Sequence, residues 1–149
     1  MDSLKKVFSS KKIESPVEQI FLNELLKYDI KYELQYKVGK YRLDFALPEY
    51  KIGIEIDGSD YHNSNVQQTR DRLRDEYLEV VEGWKIKRID AWICYRYPKL
   101  VVAYALISVD KLKNNKYFIH NKRQLAVYYA REMYNKGYYS EAKSIVENL

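Results

Sequence analysis

Cysteine is almost missing from this 149-residue sequence: Cys94 stands alone, so neither an internal disulfide nor a cysteine-built zinc cluster is open to it. Proline (three) and glycine (five) are scarce, which excludes collagen-like and low-complexity classes. With 46% hydrophobic and 32% charged residues, the composition argues against wholesale disorder. No apolar run approaches the length of a membrane span. The opening Met-Asp-Ser-Leu-Lys-Lys lacks the apolar stretch that signal peptides carry. The expectation is one folded domain in a reducing, cytoplasmic or otherwise intracellular setting, without a membrane partner.

What is present in excess is basic charge, unevenly placed. The net charge is +5, with +3 in residues 1–12, +5 in residues 111–149 and −3 between them. Basic flanks around an acidic centre suit a protein that grips phosphates and holds a cation between them. A solvated surface with basic ends has the same charge pattern. Sixteen tyrosines offer rings for stacking on bases, although a bias toward Lys, Tyr, Ile and Asn explains them equally well.

Along the chain, Ser15-Pro16-Val17-Glu18 is a complete helix start: Ser at the N-cap, Pro at the first helical position, Glu at N3. Val17, Ile20, Phe21, Leu25 and Leu26 continue an apolar stripe to about Tyr28. The period then changes. Residues 30–36, 41–47 and 51–57 read as strands, separated by turns at 38–40 and 48–50. Residues 58–65 form a polar loop. Residues 67–82 read as a helix with Leu73, Tyr77, Val80 and Val81 inward and Gly83 as its stop, and 84–89 as a fourth strand. Helical pieces follow at 91–97 and 98–113, with a break at Asn114-Asn115, then a hairpin of 121–136 and 140–149 about Gly137. The order α-β-β-β-α-β predicts an α/β core with a mixed sheet at 13–97, followed by a basic helical extension at 98–149.

The strands place the carboxylates. In the second, Leu43, Phe45 and Leu47 are expected on one face with Asp44 on the other; in the third, Ile52, Ile54 and Ile56 oppose Glu55 and Asp57. Pairing the apolar faces sets Leu47 opposite Ile52 and hence Asp44 opposite Glu55, since a one-residue slip would bury the acids. Like charges across a sheet cost ~0.2–1 kcal/mol per pair, and a divalent cation reverses that sign because Mg²⁺ takes hard oxygen ligands. Ion pairs with Lys40, Arg42 and Lys51 on a solvated face are the competing account. His62 follows the third strand at a distance where an imidazole can act as general base, whereas His120 has no acidic companions in sequence. In Arg70-Asp71-Arg72-Leu73-Arg74-Asp75, Asp71 and Asp75 share one helix face and Arg70 and Arg74 another. Such residues can orient a histidine and meet phosphates, or simply pair along a helix surface.

Taken in order, Ser-Pro-Val-Glu18, Leu-Asp44-Phe, Ile-Glu55-Ile-Asp57-Gly58, His62, Arg-Asp71-Arg and Gly83-Trp84-Lys-Ile-Lys-Arg resemble the very-short-patch-repair-type (Vsr-like) branch of the PD-(D/E)XK nuclease superfamily, whose signature is E-D-x-H-D. The resemblance covers residues 15–92 and implies a restriction-endonuclease-like fold and a Mg²⁺-dependent DNA endonuclease, with Mn²⁺ expected to substitute. It implies catalytic roles for Glu18, Asp44, His62 and Asp71: His62 activates water, Asp71 supports it, and Glu18 contacts the metal's water shell, a role that competes with helix capping. Metal ligation falls to Asp44, Glu55 and Asp57, with the Ile56 carbonyl as an extra ligand. Arg70, Arg72, Arg74 and Lys87 are the expected DNA contacts. The sequence departs from the pattern in three ways. Asp57 stands where the superfamily has its lysine, so His62 replaces that function or Lys87 lends a cation; the zinc-site cysteines are missing; the aromatic wedge is reduced to Tyr61. A non-catalytic nucleic-acid-binding module on the same fold is the alternative, with a homodimer or a larger assembly as candidate partners.

Overall fold

The computed structural model describes residues 12–58, 65–109 and 122–147. Helix α1 (Pro16–Leu25) begins where the sequence predicts, with Ser15 Oγ accepting the Glu18 N–H at 3.2 Å. The Glu18 carboxylate turns back to accept the Ser15 hydroxyl at 3.3 Å and the Glu14 N–H at 3.4 Å. Strands β1 (Glu33–Val38), β2 (Tyr41–Leu47) and β3 (Ile52–Asp57) form an antiparallel meander. Gly39 turns the first connection at φ +57°, and a single 3₁₀ turn, Pro48–Tyr50, makes the second. β1 starts later than the apolar run suggests, because Ile30 is buried in the loop before it.

Helix α2 (Asn65–Glu76) runs into a π-helical turn, Tyr77–Val81, before β4 (Lys85–Asp90) returns parallel to β3. The sheet order is β1-β2-β3-β4. Helices α3 (Ala91–Arg96), α4 (Pro98–Ala105), α5 (Lys122–Asn135) and α6 (Tyr139–Glu147) follow. α4 ends at Ala105, well short of residue 113; Asn114-Asn115 lies outside the described residues.

One large apolar cluster joins α1 (Phe21, Leu22, Leu25), the sheet (Phe45, Leu47, Ile54, Ile89), α3 and α4 (Ile93, Val101, Val102) and the C-terminal hairpin (Tyr129, Met133, Ala142). A smaller cluster of Val38, Leu43, Ala46, Leu78 and Trp84 covers the other sheet face. Two expectations are corrected here. Leu43 does not share a face with Phe45 and Leu47: it packs in the smaller cluster, against Ile86 and the bare Cα of Gly53. The alternation breaks at Asp44, and opposite it at Gln35, whose φ is +48°; Leu34 and Tyr36 on either side of Gln35 likewise fall in different clusters. Leu73, Val80 and Val81 are not inward but exposed, at 56%, 77% and 65%. In the π turn the Glu82 N–H bonds the Tyr77 carbonyl five residues back, and the wider turn rotates Leu78 into the core in their place.

Candidate active site

The sheet register puts Leu47 opposite Ile52 and Phe45 opposite Ile54, as the apolar pattern requires. Beyond that pair the two backbones stop bonding to each other and side chains take over. Glu55 Oε2 accepts the Asp44 N–H at 3.4 Å, and Asp44 Oδ2 accepts the Ile56 N–H at 3.0 Å. Asp44 therefore caps the point where β2 and β3 part, with Glu55 beside it.

From the other side, α1 delivers Glu18. Carboxylate oxygens of Glu14, Glu18 and Asp44 all lie within 4.8 Å of one another, a spacing from which one cation can be held. Glu14 escaped sequence reasoning, because it precedes the helix and belongs to no apolar or capping pattern; its place one turn before Glu18 was the available signal. The electrostatics follow from the crowding. Burial and the charge of Asp44 push Glu18 above the usual carboxylate range. The same two causes push Glu55 up to about 8, although the Arg74 guanidinium pulls the other way.

Arg74 is an ion-pair partner of Glu55 and also donates to the Arg42 carbonyl at 2.7 Å, with its guanidinium over the Tyr41 ring. Arg88, opposite Glu55 in the parallel register, donates to both oxygens of Asp57 at 3.2 and 3.1 Å and to both of Asp75 at 2.8 and 2.7 Å. Burial raises the Asp57 carboxyl, Arg88 offsets this in part, and the nearby Asp44 and Asp71 charges add to the rise. The cations that meet these acids thus come from α2 and β4. Lys51 instead donates to the Glu82 carbonyl, and Lys40 lies over the Tyr41 ring. Arg88 was hidden in the sequence because Lys85-Ile86-Lys87-Arg88-Ile89 does not say which polar residue faces the acids.

The structure thus brings together Glu18, Asp44 and Glu55, and beside them Asp57 and Asp71. Arg70 and Arg72 are exposed on α2, while Arg74 is turned inward. Lys87 is not with the acids: it pairs with Ile54, and its ammonium lies 4.9 Å from the centre of the Tyr104 ring. Burial there lowers its pKa to about 8. His62, Tyr61 and His120 lie outside the described residues. Asp57, Arg72 and Arg88 also form one end of a cavity of about 670 Å³ that reaches Tyr138 and α6.

Hard oxygen donors converging at a break in a sheet suit a small divalent cation. Among the described residues no helix is long and apolar enough to cross a membrane. No curated protein and no solved structure gives a significant match to the chain. Residues 18–105, more than half of the chain, match the REase_MTES_1575 family, and the protein belongs to this restriction-endonuclease-like family of nucleases, whose mixed α/β fold it shares.

Proposed function

We propose that the protein is a Mg²⁺-dependent DNA endonuclease of the Vsr-like, E-D-x-H-D type. The observation that supports this best is the meeting of Glu18, Asp44 and Glu55 where β2 and β3 separate. The charge of Asp44 helps to raise the pKa of both Glu18 and Glu55, an arrangement that costs stability unless a cation neutralises it. Asp44 with Glu55, backed by Glu18 and Glu14, is the set that would hold the ion; Asp57 stands beside it in the grip of Arg88. Bound there, a divalent ion supplies Lewis acidity to a scissile phosphate.

The chain's own residues do the rest. His62 takes the proton of the attacking water, and Asp71 holds its charged form. Arg70 and Arg72 on the exposed side of α2, with the basic chain ends, meet phosphate oxygens, so affinity falls as salt rises. Arg74, paired with Glu55, positions that acid and offsets its charge. In this reading residues 13–97 form the nuclease core and 98–149 a basic helical extension. Mn²⁺ substitutes for Mg²⁺, since both accept the same oxygen donors.

Supercoiled plasmid incubated with Mg²⁺, Mn²⁺ or EDTA tests the proposal. Metal-dependent nicking or linearisation is expected. Asp44→Asn, which keeps an acceptor for the Ile56 N–H and so leaves the strands in place, abolishes it; His62→Ala lowers it by about 10²–10⁴-fold. Full cleavage by either variant overturns these assignments. A salt-sensitive gel shift without cleavage by any form favours the alternative, a binding module on a nuclease fold.

A further inference from the structure

The C-terminal ends of β3 and β4 lie side by side, with Asp57 paired to Asp90. Asp90 is buried and caps α3, its Oδ1 accepting the Ile93 N–H at 2.9 Å, and it holds Lys136 of α5 at 2.8 Å. Exposed rings gather on the surface that starts at this point. On α3, Trp92, Tyr95 and Arg96 follow at i, i+3 and i+4 and therefore share a face. Trp92 is 49% exposed and Tyr95 66%, and Tyr97 next to them is exposed as well.

The rings are interleaved with cations. The Arg96 guanidinium lies 5.7 Å from the Trp92 ring centre and 5.6 Å from that of Tyr97, and its Nε donates to the Tyr97 hydroxyl. Lys136 Nζ lies 5.4 Å from the Trp92 ring centre. Lys99 is exposed at the start of α4. α5 continues the surface: Glu132 is close enough to Arg96 to act on its charge, and one turn before it Tyr128 is exposed with Arg131 5.6 Å from its ring centre.

From this we propose that the α3–α5 face, built on Trp92, Arg96, Tyr97 and Tyr128, is a stacking platform for single-stranded nucleic acid. Rings left in water beside cations offer both things such a strand needs, π-faces for its bases and positive charge for its phosphates. A duplex hides its base faces in its own stack, and an acidic peptide needs the cations but not the rings. Because the platform begins at the β4 end that pairs with Asp57, a strand lying on it leads to the end of β3 where Asp57 stands beside the other acids. The platform goes beyond the nuclease reading and does not depend on it, since it binds without cleavage.

The two tryptophans give a direct readout, for Trp84 is buried at 6% exposure whereas Trp92 is not. The experiment titrates full-length protein, in EDTA, with a thymidine oligonucleotide of about twenty residues, with a duplex of that length and with heparin, following tryptophan emission and anisotropy. The expected result is quenching by the single strand alone, lost in Trp92→Phe, with affinity for the strand lowered about tenfold in Arg96→Glu and in Trp92→Ala. Should Trp92→Ala fail to fold, Arg96→Glu decides, since its side chain lies at the surface. Equal quenching by heparin or duplex, unchanged affinity in Arg96→Glu, or no strand binding at low salt overturns the platform. Because EDTA excludes cleavage, none of these results bears on the plasmid assay.

Discussion

Glu55 carries the strongest residue-level consequence. Its pKa stands at about 8, against an ordinary 4.5, because burial and Asp44 outweigh Arg74. An acid whose pKa rises on folding binds its proton more tightly in the folded state, so the stability it contributes is whole below 4.5 and is lost as pH rises toward 8. Glu18 and Asp57 are shifted in the same direction. In metal-free buffer the melting temperature is therefore expected to fall between about pH 5 and pH 8. Glu55→Gln, which leaves no charge to desolvate, flattens that fall, and Mg²⁺ restores the wild type at the upper end but not Asp44→Asn. A wild-type melting temperature that climbs across the window contradicts this account. The meeting of Asp44 and Glu55 was legible in the sequence, since matching Phe45 and Leu47 to Ile54 and Ile52 fixes the register next to them even though the alternation breaks at Asp44 itself. Their partners Arg74 and Arg88 were not, because pairing between α2, β3 and β4 has no local signal.

At the scale of elements, the π turn between α2 and β4 sets what the helix buries. With an ordinary helix Val80 and Val81 would have served as core residues; with the wide turn Leu78 does, at 0% exposure, beside Trp84 and Ala46. Leu78→Ala is expected to lower stability by about 2–5 kcal/mol, whereas Val80→Ala and Val81→Ala each stay within about 0.5 kcal/mol. Urea melts of the three variants check the assignment, and a large loss at Val80 or Val81 defeats it. A regular helical period is a sound guide to a regular helix. It fails here because one π turn carries an extra residue, and whether that turn forms depends on the sheet it must reach.

Across the whole molecule, the C-terminal helices and the sheet share one core. Tyr129 is fully buried; its hydroxyl accepts the Asp90 N–H at 3.2 Å and donates to the Arg88 carbonyl at 3.3 Å, and its ring stacks on Tyr104. These bonds tie α5 to the strand that carries Arg88, and through it to Asp57 and Asp75. Tyr129→Phe keeps the ring but leaves the buried Asp90 N–H and the partly buried Arg88 carbonyl without this partner, an expected loss of about 1–3 kcal/mol by calorimetry. A variant as stable as the wild type shows that α5 is not held to β4 in this way.

The sequence by itself determined the order of elements, the start of α1 at Ser15, the β2–β3 register and the placing of Asp44 beside Glu55. Each follows from contacts between neighbours in the chain or from the two faces of a strand. Only the tertiary structure decided that α1 and the segment before it bring Glu18 and Glu14 to Asp44, that Arg74 and Arg88 meet the acids while Lys87 turns to Tyr104, and that α3 and α5 gather rings and cations on one surface. Those outcomes depend on how separate elements pack. Packing is settled by the summed burial of side chains far apart in sequence, and no local pattern records it.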